Sequence, residues 1–481
     1  MHPIAQLHDF FEREAPRFAE LSDKIWALAE LRYAEQASAS LHAEGLAHAG
    51  FRVQPDLAGI PTAFQAEFGE GGPVIGLLGE YDALSGLNQE SGALQCMPSS
   101  QSPGPNGHGC GHHLLGAAAH LAALAVQQYL REHKLPGRVR FYGCPAEEGG
   151  SGKTFMARAG AFDDLSAALT WHPASYTGVF SQATLANIQA SFVFHGRAAH
   201  AANSPHLGRS ALDAVELMNV GSNYLREHMP PDARVHYAIT DSGGLSPNVV
   251  QARAEVLYLI RAARNDDAAA LYARVCDIAR GAALMTGCEV EIRFDKACSN
   301  LMQNTALNRV MYAEMQQLGS LPVGAREQEE AARHHATLPD SDVAEAGRSL
   351  ASVLRGKPPA LFDGLRPFDP DDTELLYGST DVGDVSWITP TAQCWVACYA
   401  FGTPFHSWQM VSQGTSSLAH IGMVHAAKSM AATAIRLLEQ PELLAAARDE
   451  LVARRGGKPY VCPIPDDVAL PIARNPGRTS A

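Results

Sequence analysis

Pro73-Val-Ile-Gly-Leu-Leu-Gly79-Glu-Tyr-Asp82 is a short, unbroken apolar run that ends on two carboxylates. A run without polar alternation is the pattern of a strand covered on both faces, as in the parallel sheet of an α/β layer. Residues 138–143 (Arg-Val-Arg-Phe-Tyr-Gly) and 167–171 (Ala-Ala-Leu-Thr-Trp) read as further strands of that layer. Helical periodicity lies around them. Residues 10–29 put Phe18, Leu21, Ile25 and Leu28 on one face, residues 39–49 stop at Gly50, and residues 114–130 are rich in Ala and Leu. The expected fold class is therefore α/β.

The segment Gly107-His-Gly-Cys110-Gly-His112-His113 stands directly before the Ala/Leu-rich helix. A thiolate and an imidazole two positions apart on a tight loop can face one cation, and the N-terminus of the following helix favours the thiolate form of Cys110. Glu147 and Glu148 in Cys144-Pro-Ala-Glu-Glu-Gly-Gly150, His172 in Thr170-Trp-His-Pro and His406 in Pro404-Phe-His-Ser supply further donors. Asp82 follows the first strand, the Glu pair the second and His172 the third. Candidate groups thus gather at the C-terminal ends of sheet strands, where α/β active sites form.

With 481 residues, 46% hydrophobic and 18% charged, the chain is expected to be globular and to form two domains. The net charge of -14, without a concentrated Lys/Arg block, argues against nucleic acid or an anionic membrane as partner and points to small molecules. No stretch reaches the roughly 18 apolar residues of a membrane span, and Met1-His-Pro-Ile-Ala-Gln-Leu-His lacks the basic-then-apolar pattern of a signal peptide, so a cytoplasmic location is expected. Nine scattered cysteines do not make a disulfide framework; Cys394 and Cys398, in the apolar run 394–401, read as packing residues of a buried strand.

From residue 187 the texture changes. Strand 188–195, helix 208–228, strands 235–240 and 249–261, helix 266–284 and strand 289–294 make a β-α-β-β-α-β unit, the ferredoxin-like arrangement. Because His406 lies far beyond it, the unit is expected to be an insertion, residues 187–301, in a discontinuous first domain of residues 1–186 and 302–445, with a tail over 446–481. Residues 321–372, rich in Ala, Pro and charge, read as a surface excursion.

Read in order, Gly79-Glu-Tyr-Asp82-Ala-Leu, Gly107-His-Gly-Cys-Gly-His-His-Leu-Leu-Gly116, Gly143-Cys-Pro-Ala-Glu-Glu-Gly-Gly150, Trp171-His-Pro, Gly196-Arg-Ala-Ala-His200-Ala-Ala-Asn-Ser-Pro205, Ser379-Thr-Asp-Val-Gly-Asp-Val-Ser386 and His406-Ser-Trp resemble the M20 metallopeptidases, in their amidohydrolase branch, along almost the whole chain. Phe141-Tyr-Gly-Cys, Gly149-Gly-Ser-Gly-Lys-Thr-Phe-Met, Leu185-Ala-Asn-Ile-Gln-Ala-Ser and Phe294-Asp-Lys-Ala-Cys-Ser resemble the B-type chains of the hydrolases that cleave p-aminobenzoyl-glutamate. The resemblance implies a zinc-peptidase-like catalytic domain, a mixed sheet flanked by helices, with an inserted ferredoxin-like α+β lid and dimerisation domain. It implies two divalent metal ions, Mn²⁺ or Zn²⁺, bridged by Cys110, with His112 and Glu148 on one and His172 and His406 on the other. Glu147 would stay off the metals as general base, and Asp82 would orient a metal-bound histidine. His200 would reach into a partner protomer's site to stabilise an oxyanion, and Asn248 and Arg261 would grip a substrate carboxylate.

Two positions depart from the family pattern. His113 stands where Asn or Asp is usual, which leaves either local hydrogen bonding or site electrostatics as its role. Glu80 stands where the peptidase branch has His and many amidohydrolases have Asp, which fits Cys110 as the bridge. Asp381 and Asp384 read equally as site wall or as turn residues. The expected reaction is hydrolysis of the amide bond of an N-acyl amino acid, foremost p-aminobenzoyl-glutamate, by a homodimer paired through the lid or a heteromer with a related A-type chain. The alternatives are a dipeptidase acting on small dipeptides, a hydrolase with Cys110 as nucleophile, and a non-catalytic partner in a two-chain hydrolase.

Overall fold

A seven-stranded mixed sheet runs in the order Arg52–Gln54, Phe64–Glu70, Gly137–Cys144, Val74–Glu80, Ala167–Ala174, Thr391–Ala397 and Gly178–Val179. This computed structural model describes residues 2–474 apart from 101–103, 352, 355, 357 and 373. The four middle strands are parallel and the flanking ones antiparallel. Alternate residues of the middle strands enter different cores. Ile75, Leu77, Phe141, Leu169 and Trp171 pack with the helices on one side, while Val74, Leu78, Tyr142 and Ala168 pack with Phe155, Met156, Phe162 and Leu165 on the other. Burial on both faces is the physical reason for the unbroken apolar run at 73–79.

On the first face, helices His8–Leu28, His112–His133 and Ser417–Glu439 pack together. His112–His133 is buried at every position from His112 to Val126, and its Ala-rich composition lets neighbours approach closely. One close approach is at Gly116, where a Cβ would lie 2.6 Å from the Glu80 carbonyl oxygen and 2.9 Å from His42 Nε2. That contact sets the helix start against the end of the first strand.

The second sheet is antiparallel, in the order Glu289–Cys298, Ala186–His195, Arg253–Ala262, Arg234–Asp241. Helices Ala211–Leu225 and Asn265–Thr286 cover one face, where Ile188, Ala190, Phe192 and Phe194 meet Met218, Val275 and Ala279. This is the β-α-β-β-α-β order read from residues 188–294, with bounds shifted by a few residues.

Three expectations are corrected. Residues 321–372 are not a detached excursion: helices Ala325–His335 and Asp340–Ser349 form there, and Asp342, Glu345 and Ala346 reach the main cavity. The tail drawn from residue 446 begins inside helix Glu442–Arg454, whose Leu444, Ala447 and Leu451 are buried and whose Ala447 carbonyl accepts from Asn304 Nδ2 at 2.7 Å. The strand at 394–401 ends at Ala397, although Cys394 and Cys398 are both fully buried.

Gly to Ala in an open helix interior normally stabilises by about 0.5–1 kcal/mol. Gly116→Ala is expected to do the reverse, because the new methyl meets strand backbone, costing about 1–3 kcal/mol as overpacking does. A urea midpoint below that of the parent protein, at unchanged slope, is the outcome that checks it.

Candidate metal centre and its surroundings

The parallel register places Glu80 level with Cys144 and His172 level with Trp395, so the ends of four neighbouring strands open on one crevice. Asp82 lies two residues past its strand. Glu147 and Glu148 begin a single turn, Glu147–Gly150, after Cys144-Pro145-Ala146. Cys110 and His112 come from the start of helix His112–His133. His406 arrives from the opposite direction and is fastened by its N–H, which donates to the Gly109 carbonyl at 2.8 Å. Backbone strain accompanies this convergence: Ala146, Ser151 and His406 hold φ of 60°, 55° and 58° without being glycine.

Cys110 Sγ lies 3.4 Å from His172 Nε2, and His406 Nε2 lies 3.2 Å from Glu148 Oε1. Two triads share Cys110, one with His112 and His172 and the other with Glu148 and His406, the donor atoms of each within 4.8 Å of one another. The five residues singled out in the sequence therefore converge; by donor distance alone His112 and His172 group around Cys110 on one side, and Glu148 and His406 on the other. The reason is tertiary. His172 projects from the strand beside Cys110, whereas His406 is pinned over the Glu148 loop.

Asp82 organises this cradle with both oxygens. Oδ1 lies 2.9 Å from His112 Nδ1, and Oδ2 accepts from the Glu148 N–H at 2.8 Å. His112 Nε2 and Glu148 Oε1 are buried and make no well-directed hydrogen bond, their nearest polar partners being Glu80 Oε2 and His406 Nε2 at 3.2 Å each. Burial and then the His112 charge push His172 down to about 4, so its imidazole is neutral, with Nδ1 2.9 Å from the Pro173 carbonyl and Nε2 turned to the cradle. Burial and then Glu148 hold the Cys110 thiol well above its usual range, overriding the helix N-terminus. Orphaned donors, a neutral imidazole and a thiol that needs a positive charge to ionise all fit a divalent cation, and this thiolate, imidazole and carboxylate set suits Zn²⁺, Mn²⁺ or Co²⁺.

A second group, not foreseen as a unit from the sequence, lies behind the first. Glu80 Oε2 is 3.2 Å from His112 Nε2, and Glu80 Oε1 is 2.6 Å from Lys153 Nζ. Lys153 is fully buried and also meets Asp381 Oδ1 at 2.5 Å. Asp381 thus belongs to the site wall. Asp384 is a structural clamp, accepting from Thr154 Oγ1, Ser299 Oγ and Tyr460 OH at 2.6, 2.6 and 2.8 Å. Glu147, partly accessible from the cavity, has its carboxyl held well above the usual range by burial first, then by Glu80 and Glu148. Glu35 was also missed: it accepts from the Ala146 N–H at 2.8 Å and so supports the loop that carries Glu147. The only local signal for Lys153 is a cation inside a Gly-rich, largely apolar string, and Glu35 has none.

The cavity has a volume of about 760 Å³ and is lined by Cys110, Glu147, Glu148, His172, His406 and Arg261, among others. Arg261 Nη1 donates to Ser379 Oγ at 2.8 Å. Asn248 and His200 are exposed and do not line this cavity in the same chain. His113 points away, its Nε2 2.9 Å from the Gly414 carbonyl and its ring against His108, so its role is local hydrogen bonding.

The sequence model of peptidase family M20/M25/M40 matches residues 76–356, more than half of the chain and every candidate metal donor except His406. The chain belongs to this peptidase family. It is 52% identical over 471 residues to the B-type chain of the p-aminobenzoyl-glutamate hydrolase of Escherichia coli (strain K12), covering 96% of this chain and 97% of that protein. It is 29% identical over 458 residues to the Xaa-Arg dipeptidase of Mus musculus, 91% and 90% of the respective chains. An aminobenzoyl-glutamate utilization protein from Klebsiella pneumoniae shares the fold, with a TM-score of 0.55 at 18% identity over 87% of this chain and 98% of that one. As an M20 member the chain is a hydrolase of amide bonds, and the fold class read from its sequence is that of the family.

Burial, followed by the Asp82 charge, raises the Glu35 carboxyl to about 8. In the unfolded chain Glu35 ionises near 4.5, so the folded state binds the extra proton between about 4.5 and 8, and stability falls as pH rises through that window. Glu35→Gln removes this titration. Urea midpoints of parent and variant are expected to move in the variant's favour from pH 5 to pH 8, and a constant difference would contradict the assignment.

Proposed function

We propose that this chain is a di-metal amidohydrolase that cleaves p-aminobenzoyl-glutamate to p-aminobenzoate and glutamate, acting in the cytoplasm on a folate breakdown product. The observation that carries the reading is the pair of donor triads sharing Cys110, with Glu147, which lies in a further donor group with Glu80 and His112, beside them. Cys110, His112 and His172 would hold one divalent cation, and Cys110, Glu148 and His406 the other, Mn²⁺ and Zn²⁺ both suiting the donors. When bound, such a pair acidifies a water and polarises the amide carbonyl. Glu147, with its raised affinity for a proton, accepts one from the attacking water and passes it to the amine nitrogen as the C–N bond breaks. Asp82 fixes the tautomer of His112. The aromatic rings of Trp395 and Phe405, 5.9 Å apart in the cavity wall, suit an aryl acyl group.

A cysteine nucleophile is disfavoured because the Cys110 thiol is held up rather than down. A dipeptidase is the second reading, favoured by the relative named for Xaa-Arg cleavage. The exposed His200 serves the site of a partner protomer in this reading, through a homodimer paired on the ferredoxin-like domain of residues 187–301. A heteromer with an A-type chain is the other form of pairing, supported by the Escherichia coli relative, whose name marks it as one of two kinds of chain in its hydrolase.

Exhaustive chelation is expected to abolish hydrolysis of p-aminobenzoyl-glutamate, with Mn²⁺ or Zn²⁺ restoring it. Glu147→Gln should lower kcat by roughly two orders of magnitude or more while two metals stay bound, whereas Glu148→Gln should also lose metal. Retained turnover after complete demetallation, or the two Glu phenotypes reversed, would refute these roles.

If His200 acts in trans, mixing inactive His200→Ala chains with inactive Glu147→Gln chains regenerates one intact site per hybrid dimer. Random exchange should then recover about a quarter of parental activity. No recovery after demonstrated exchange of protomers removes His200 from a partner's site.

A further inference from the structure

The face of the four-stranded sheet turned away from its helices supplies part of the cavity lining. Asn187 and Gln189 of one strand, Leu259 and Arg261 of the next, and Lys296 and Cys298 of the third all contribute. Strand alternation explains the first four, since their neighbours Ile188, Ala190 and Ile260 enter the helix-covered core. It does not by itself explain Lys296. In strand Glu289–Cys298 the even-numbered Val290, Ile292 and Phe294 pack against that core. Continued alternation would drive Lys296 into the same apolar layer.

The register shifts between Phe294 and Lys296: Phe294 pairs with Ala190 and Lys296 with the next residue back, Gln189, leaving Asp295 as the extra residue. This β-bulge inverts the parity, so Ala297 faces the core and Lys296 and Cys298 face the cavity. A lysine re-aimed in this way is only 6% exposed, and its Nζ meets Asn187 Oδ1 at 3.0 Å. Among the described residues neither Lys296 nor Arg261 has a carboxylate within 4.0 Å. Both are disfavoured as cations, burial being the first cause for each and Arg261 repelling Lys296 as well. Lys296 is buried and Arg261 half-buried, and with Glu147 the more distant acid of the same cavity neither has a close counter-ion; a cation so placed is costly, and two facing one cavity are costlier. An anion bound between them would remove both penalties.

We infer that Lys296, with Arg261, forms a subsite that reads a second carboxylate, so that the chain selects N-acyl amino acids with an acidic side chain over their neutral and basic counterparts. The inference rests on the amidohydrolase reading above and adds the residue that decides the amino-acid half of the substrate. An α-carboxylate common to all N-acyl amino acids engages one cation; the second is left for a side-chain carboxylate. The same pair of charges disfavours an arginine side chain in that subsite, which separates this chain from a dipeptidase for basic residues.

The test crosses three acyl groups (p-aminobenzoyl, benzoyl, acetyl) with three amino acids (glutamate, glutamine, arginine) on the metal-loaded full chain. The parent protein is expected to favour glutamate over glutamine in whichever acyl series it cleaves. Lys296→Met, which keeps the length of the buried stem, should lower the glutamate-to-glutamine ratio of kcat/KM by on the order of a hundredfold, the scale of losing one buried charge-assisted contact. Lys296→Gln, which keeps a donor without the charge, should give the same collapse of the ratio. Calorimetric binding of free glutamate and glutamine supplies a readout independent of turnover and of the acyl group, and thermal melts exclude unfolding. A dead p-aminobenzoyl series with an intact preference for glutamate elsewhere overturns the proposed substrate and leaves the subsite standing. Equal losses on glutamate and glutamine substrates, an unchanged ratio in both variants, or a parent protein indifferent to the side-chain charge overturns the subsite; equal losses with a shifted pH profile assign Lys296 to Glu147 instead.

Discussion

The candidate metal cradle depends on the two oxygens of Asp82. One lies at hydrogen-bond distance from His112 Nδ1 and so turns Nε2 toward the crevice; the other receives the backbone N–H of Glu148 and so fixes the loop that carries both glutamates. A single carboxylate thereby couples the end of one strand, the start of a helix and the loop after a second strand. Its own position is set from behind by the parallel register of strands Val74–Glu80 and Gly137–Cys144 and by the approach of the helix at Gly116. Geometry of this kind has to be rigid, because ligand atoms a fraction of an ångström out of place lose most of their value.

The cost of the arrangement is a concentration of negative charge in a dry place. Glu35, Glu80, Asp82, Glu147, Glu148 and Asp381 are close enough to shift one another, and several are fully enclosed. Lys153 offsets part of this by standing between Glu80 and Asp381. Protonation of Glu35 offsets more, and a divalent cation in each triad would account for the remainder. The crowding therefore works in two directions, raising the proton affinity of Glu147, as a general base needs, and making the cradle attractive to metal.

The second sheet has a role beyond covering. Its strands end above the crevice and present Asn187, Arg261 and Lys296, so the larger layer carries the groups suited to hydrolysis while the smaller one supplies cations. The division follows from packing: one face of the small sheet is consumed by its two helices, and the other is free to line a cavity. The bulge at Asp295 belongs to that division, since without it the cation would sit on the wrong face.

Much of this was legible from residue order. Unbroken apolar runs identified strands buried on both faces, the Ala/Leu-rich segment identified a fully enclosed helix, and the period changes after residue 187 identified the ferredoxin-like unit. Cys110, His112, Glu147, Glu148, His172 and His406 were found because strand ends and helix starts are where an α/β layer exposes side chains, and they do converge. What residue order left open were relations between positions far apart in the chain. Which histidine shares a triad with Glu148 depends on His406 docking on Gly109, and Lys153 has meaning only beside Glu80 and Asp381, which lie 73 and 228 residues away. Lys296 is an ordinary strand lysine until a shift of register turns it. Local periodicity encodes which elements form and which face is apolar, because those are properties of neighbouring residues. Donor proximity, charge compensation and the aim of a side chain are properties of distant segments packed together, and only the tertiary structure decided them.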